Sequence, residues 1–263
     1  MVRASLLLVP IFAAACSKSG IYPLDDDTAV TSACRAAAPG CGSETTPDSD
    51  VPPDPIATGD TASPAAAWAH TITVDGDVGD WTADESLATT SGDAWVTWDA
   101  TDLFVAVRHP DVSAGTALHW VVVYVGSGAG GTTTGASIGT QEPALPTGMS
   151  HAIRWKADGS YDDLLAWDGI AWVASPGWLG TEGSAKQESD ANTVLELAIP
   201  RAAVGVGDLL DLHVAWVYEG AGSESTYAGS PATSFPDGAY DPDYAAYWRF
   251  DLSASPASAT PLP

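Results

Sequence analysis

Three tryptophans around one predicted hairpin are the residues best suited to bind a ligand. Trp167 and Trp172 flank the hairpin tip, and Trp178 lies in the loop that follows. Indole rings stack on the C–H faces of sugars while nearby polar groups bond the sugar hydroxyls, the mixture that small-ligand sites use. Arg154, on the polar face of a neighbouring predicted strand, could donate such a bond. These four residues form the predicted carbohydrate-binding site; core packing of the rings and a salt bridge of Arg154 are the alternatives.

An acidic loop is the predicted metal site. Asp75, Asp77 and Asp80 stand in a Gly-rich turn, and calcium binds six to eight oxygens from closely spaced carboxylates and carbonyls. The alternative is that these carboxylates hydrogen-bond the backbone of their own turn. A second acidic loop near the C-terminus carries Asp237, Asp241 and Asp243.

No catalytic motif stands out in the sequence. Glycoside hydrolysis needs a pair of carboxylates, and with 34 acidic residues a chance carboxylate pair is uninformative. No histidine has a second His or Cys at metal-ligand spacing, the five being His70, His109, His119, His151 and His213. We therefore expect a binding or structural protein rather than an enzyme.

The charge balance excludes whole classes of partner. The 263 residues carry 9 basic and 34 acidic side chains, a formal net charge of −25. Nucleic acids and anionic lipid surfaces both require Lys and Arg, so neither is an expected partner. Hydrophobic residues make up 45 % of the chain, which is enough for a packed core.

The N-terminus predicts export. A positive start, an apolar run at 6–12 and small residues at 13–15 are typical of a signal peptide over residues 1–15. The small residues followed by Cys16 resemble the lipobox of bacterial lipoproteins, in which that cysteine becomes the new N-terminus and carries lipid. The resemblance implies a lipid anchor in the bacterial cell envelope, and Ser17 instead of Asp favours the outer membrane or cell surface. Ordinary cleavage after Ala15 is the alternative.

The remaining cysteines support lipidation. If Cys16 carries lipid, Cys34 and Cys41 are left as a pair that can close a disulfide in an oxidising compartment. Residues 16–66 are rich in Ala, Ser, Thr, Pro and Asp and contain one aromatic residue, Tyr22. Such a composition predicts a disordered tether, and residues 253–263 are expected to be a disordered tail.

Residues 67–252 are predicted to be one all-β domain. Short alternating or β-branched stretches separated by Gly-rich turns, without a long helical period, indicate a two-sheet antiparallel sandwich. Asp168-Gly169 predicts a two-residue type I′ turn between two of the strands. The nine predicted strands are 94–98, 103–108, 118–125, 151–156, 164–167, 170–173, 193–199, 209–218 and 247–252.

Four motifs in this domain resemble a known family. Residues 72–81, which read as an edge strand followed by Asp-Gly and Asp-Trp, resemble the opening of DOMON-like domains and of family 9 carbohydrate-binding modules. Residues 96–107, 195–205 and 247–252 resemble their next hairpin, late strand and closing strand. The resemblance implies a jelly-roll-like sandwich, often with calcium, that binds sugars, or haem in some relatives. A structural or protein-interaction envelope lipoprotein without a small ligand is the alternative function.

Overall fold

The computed structural model describes residues 67–112, 116–187, 193–220, 222–234 and 240–263. The chain divides into two units, Met1–Asp60 and Thr61–Pro263, and only the second is described here. The predictions for the signal peptide, the tether, the lipid anchor at Cys16 and the disulfide between Cys34 and Cys41 lie outside the described residues. Asp237 of the second acidic loop also lies outside them.

The described residues form an all-β sandwich, which confirms the predicted fold class. The described part of the chain contains fifteen strands and four 3₁₀ turns of three residues each. Among the described residues, no helix is long and apolar enough to cross a membrane. The strands are β1 Ser86–Leu87, β2 Asp93–Trp98, β3 Asp102–Arg108, β4 His119–Gly126, β5 Thr132–Thr134, β6 Ala144–Met149, β7 His151–Lys156, β8 Asp162–Trp167, β9 Trp172–Pro176, β10 Ser184–Gln187, β11 Val194–Pro200, β12 Leu209–Gly220, β13 Ser223–Ser230, β14 Tyr247–Asp251 and β15 Pro261–Leu262.

Two antiparallel sheets share the main core. Sheet A has the order β1-β2-β3-β11-β10, and sheet B the order β15-β14-β12-β4-β7-β8-β9, with β13 pairing on β12. Alternate residues of each strand point to opposite faces. The inner faces contribute residues such as Val105 and Leu197 from sheet A and Val123 and Trp216 from sheet B to one buried cluster. Burial of this apolar surface is the main stabilising term of the fold.

The outer face of sheet B is also covered in part. Residues 132–149, which include the small β5–β6 sheet, place Ile138, Leu145 and Met149 against Val122 and Tyr124. Because β4 is therefore buried on both faces, its sequence is a continuous apolar run rather than an alternation. The cover stops short of the β9 edge, where residues 173–176 are exposed.

The expectation of a disordered tail at residues 253–263 is wrong. Pro261 and Leu262 pair with Trp248 and Tyr247 of β14, and Leu262 packs against the outer cluster of sheet B. Few apolar residues are enough to order this segment because the edge of β14 is already present to pair with it. Residues 72–74, expected from the resemblance to be an edge strand, are extended but lie outside the sheets; Ile72 packs on Phe104 at the outer face of sheet A.

Candidate functional site

The β8–β9 hairpin brings two of the predicted tryptophans together. Trp167 pairs directly with Trp172, so the loop between them has four residues rather than the predicted two. Its first residue, Asp168, accepts hydrogen bonds at Oδ1 from the backbone of Ile170 and Ala171, both at 2.8 Å. Gly169 has a φ of 100°, a conformation that glycine adopts without strain. The carboxylate thus closes the turn that a type I′ pair was expected to close.

Trp167 and Trp172, which we call the aromatic pair, form a partly open surface on the outer face of sheet B. Their ring centroids lie 5.8 Å apart with planes at 65°, a favoured edge-to-face geometry. Both rings are half-buried, and Trp172 Nε1 donates to the carbonyl of Thr134 at 3.0 Å. At the tip, Ile170 is 86 % exposed. The pair is thus held by a ring contact and one hydrogen bond, and part of its surface stays exposed.

Arg154 lies on the same outer face but is held in an inter-strand ion pair. Its Nε donates to Asp163 Oδ1 at 2.9 Å, Nη2 contacts Oδ2 of the same carboxylate, and Nη1 donates to the carbonyl of Ser137. Asp163 is fully buried and also accepts from Tyr161 Oη at 3.0 Å. Burial opposes the charge of Arg154, but the bond to Asp163 outweighs it and raises the arginine pKa. The salt bridge named as the alternative is therefore present.

Trp178 does not belong to this surface, which corrects the expectation of an open loop aromatic. It starts the 3₁₀ turn Trp178–Gly180, is 4 % exposed and packs in the inner core with Leu179. Its Nε1 donates to Glu182 Oε2 at 3.1 Å. The turn folds inwards because the backbone of Leu179 is held by Asp162 Oδ1 at 2.8 Å. A core indole cannot stack on a sugar.

The acidic loop uses its carboxylates within the loop. Asp75 Oδ1 accepts from the backbone of Asp77, and Asp77 Oδ1 from that of Gly79. Asp80 Oδ2 accepts from the backbone of Thr73. The three side chains line a shallow open cleft, yet among the described residues no group of three or more His, Cys, Asp or Glu side chains could hold a metal ion. These bonds are the ones that the turn interpretation expects.

Glu196 is a polar group that sequence reasoning missed. It is fully buried on the outer face of sheet A, where its carboxylate accepts from the backbone of Asp75 and Gly76 and from Trp81 Nε1, at 2.9, 2.6 and 2.7 Å. Burial raises its pKa even though these three bonds oppose the shift. The only signal was one acidic residue in the apolar run of β11. Its role is to fasten the acidic loop to the sheet.

A histidine cluster at the inner face was also beyond sequence reasoning. Asp111 Oδ2 lies 3.6 Å from His109 Nδ1 and 3.7 Å from His119 Nε2. Tyr227 packs edge-on against both imidazoles, with centroids 5.6 Å away in each case. Burial lowers the pKa of His109 and so favours its neutral form. His109, Asp111 and His119 are close in sequence, but Tyr227 lies more than a hundred residues further along the chain, so the sequence alone did not bring the four groups together.

Comparison with known proteins adds no assignment. No family model matches the chain, and no curated protein or solved structure matches it significantly. The aromatic pair is thus interpreted from its own geometry and chemistry.

Proposed function

We propose that this protein is a non-catalytic carbohydrate-binding β-sandwich that is exported and anchored by lipid at Cys16 in the bacterial cell envelope. The observation that carries the proposal is the aromatic pair, Trp167 and Trp172, half-open on the outer face of sheet B. The N-terminal motif supports the cellular location.

The surroundings of the pair suit a sugar. A pyranose presents C–H groups to an indole ring and hydroxyls at its rim, and the pair contacts the exposed Thr134. The bond from Trp172 Nε1 to Thr134 fixes the ring before a ligand arrives. A fixed ring loses little conformational freedom on binding, which favours affinity.

The nearest carboxylates support binding rather than catalysis. Glycoside hydrolysis needs a carboxylic acid whose pKa is raised so that it can donate a proton. Hydrogen bonds from Ala171 and Ile170 lower the pKa of Asp168 instead, and Asp163 is committed to Arg154. Neither group is placed to act as a general acid.

Retention on polysaccharides tests the proposal. The mature full chain is incubated with insoluble cellulose, xylan, chitin and peptidoglycan, and the bound fraction is measured for wild type, Trp172→Ala and Trp95→Ala. Trp95 is the matched control, since it is a half-buried tryptophan on the outer face of sheet A. We expect at least one glycan to retain the wild type and Trp95→Ala, and Trp172→Ala to bind roughly tenfold more weakly, the loss of about 1.4 kcal/mol.

Two results would contradict the proposal: no retention of the wild type on any of the four polymers, or equal retention of Trp172→Ala. The anchor is tested separately by mass spectrometry of the protein isolated from membranes. Acylation is expected on the wild-type N-terminus and absent from Cys16→Ala, whereas an unmodified N-terminus at residue 16 would refute lipidation.

The exposed tip favours protein interaction as a second candidate. Ile170 is 86 % and Val173 52 % exposed, and exposed apolar clusters often mark partner surfaces. In-cell crosslinking from position 170 separates the two functions. A single envelope protein captured there, together with silence on all four polysaccharides, would favour this candidate.

A further inference from the structure

We infer that the outer face of sheet B holds an extended binding strip for an uncharged linear polysaccharide, running from the aromatic pair to a second aromatic cluster at Trp120 and Tyr161. The inference rests on the proposed function and deepens it, because it assigns a polymer rather than a single terminal sugar as the ligand.

The second cluster repeats the chemistry of the first. The rings of Trp120 and Tyr161 meet edge-on with centroids 5.8 Å apart, and Tyr161 is 37 % exposed. Trp120 Nε1 donates to Glu219 Oε2 at 2.8 Å, and Lys156 Nζ lies 5.3 Å from the centre of the Trp120 ring. As in the aromatic pair, a hydrogen bond from the indole nitrogen holds one ring, here Trp120, while the ring of Tyr161 stays partly exposed.

Strand register places both clusters on one face. Trp120 pairs with Lys156, and Arg154, two residues before Lys156 on the same strand, pairs with Asp163. Asp163 shares a face with Trp167, four residues further along β8. Tyr161 and Trp167 are six positions apart, which corresponds to about 20 Å of strand. That span fits several sugar units rather than one.

The surface between the clusters is exposed along β9 and carries small side chains. Pro176 pairs with Asp163 and Ala174 with Leu165, and both Pro176 and Ala174 are exposed on the edge strand β9. Along the other side, the cover segment contacts the strip through the carbonyls of Thr134 and Ser137. Both of these residues are exposed, so hydroxyl groups stand beside the path between the rings.

The basic groups of the strip are paired with carboxylates. Arg154 is paired with the buried Asp163, and Lys156 Nζ lies 3.6 Å from Glu219 Oε2. The rest of the chain is strongly acidic, with a formal net charge of −25, so an anionic polymer would be repelled as it approached. A strip whose basic groups are already paired, on an acidic protein, favours an uncharged glycan.

Chain-length dependence tests the strip. Calorimetric titration of the mature full chain uses cello- and xylo-oligosaccharides of two to six units, with wild type, Tyr161→Ala, Tyr161→Phe and Tyr240→Ala. Tyr240 is the control because it is an exposed tyrosine outside the strip. We expect the wild-type affinity to rise with length by up to about tenfold, the worth of one additional aromatic contact. Tyr161→Ala should lose that rise and still bind the disaccharide as wild type does, whereas Tyr161→Phe and Tyr240→Ala should keep it.

The outcomes separate the strip from the proposed function. Wild-type affinity that is independent of length, an unchanged Tyr161→Ala, or tighter binding of polygalacturonate than of the neutral series would each refute the strip while the aromatic pair remained a sugar site. No binding of any oligosaccharide would also refute the strip; the proposed function would fall with it only if the four insoluble polymers failed to retain the protein as well.

Discussion

Two hairpins of this protein use the same turn but differ in the burial of the tryptophan that precedes it. In both β2–β3 and β8–β9, four residues that begin with aspartate separate the last paired residues, Trp98 and Leu103 in one hairpin and Trp167 and Trp172 in the other. Asp99 Oδ1 accepts from the backbone of Thr101 and Asp102 at 2.8 Å, as Asp168 does from the two residues at the same places in its loop. Each aspartate also donates its backbone N–H across the loop, at 3.0 and 3.1 Å. A tryptophan precedes the loop in both hairpins.

The position of each hairpin in its sheet and the face on which its tryptophan lies make the difference. Strands β2 and β3 lie between β1 and β11, whereas β9 ends its sheet. Trp98 is accordingly 1 % exposed, donates from Nε1 to the carbonyl of Leu252 at 2.9 Å and contacts Phe250. Trp167 and Trp172 remain half-open. Local turn chemistry therefore decides that a hairpin forms. The face on which its tryptophan lies, the inner face for Trp98 and the outer face for Trp167, together with the distance from the sheet edge, decides whether that tryptophan is core or surface.

The largest expected effect comes from truncating the two kinds of tryptophan. Trp98→Ala should lower the free energy of unfolding by about 3–5 kcal/mol, because it leaves a cavity and an unpaired carbonyl in the core. Trp172→Ala should cost about 1 kcal/mol or less, as its ring is already partly hydrated. Denaturant titration of the full chain measures both. Equal costs would mean that the edge hairpin is as tightly packed as the central one, and the comparison would collapse.

The same contrast explains what sequence could and could not predict. All nine predicted strands exist, because alternation and β-branched runs report burial directly. Strand β13 escaped prediction: its segment Ser223–Ser230 is largely polar and becomes a strand because the long β12 offers it an edge. The burial of Trp178, the pairing of Arg154 with Asp163 and the anchoring by Glu196 depend on register and on distant segments, which no local pattern encodes.

A buried histidine beneath the cover on the outer face of sheet B makes the stability of the protein depend on pH. His213 is fully buried, stacked on Tyr244 at 4.2 Å, and burial lowers its pKa from 6.5 to about 3. The unfolded chain binds the proton more readily, so this contribution to stability is complete above pH 6.5 and is lost as the pH falls from 6.5 towards 3. The slope is up to about 1.4 kcal/mol per pH unit.

Denaturant titrations between pH 8 and 4 measure that slope in wild type and in His213→Phe. The variant keeps a ring against Tyr244 but cannot titrate, and its value at pH 8 accounts for the pH-independent cost of the substitution. We expect the free energy of unfolding of the wild type to fall relative to that of the variant as the pH falls below 6.5. A difference that stays constant over this range would show that the cover admits water and that the ring titrates normally.

The smallest expected effect concerns the turns themselves. Asp99→Ala removes an acceptor for two backbone N–H groups and should lower Tm by roughly 2–4 °C, as the loss of about 1 kcal/mol does in a domain of this size. Asp168→Ala should lower it less, because the edge hairpin is exposed and water can replace the carboxylate. Asn at either position keeps an oxygen acceptor and should restore most of the loss. If Asp168→Ala lowered Tm more than Asp99→Ala, the edge hairpin would depend on its turn rather than on its packing. Asp168 would then fix the geometry of the aromatic pair more than the bond between Trp172 and Thr134 does.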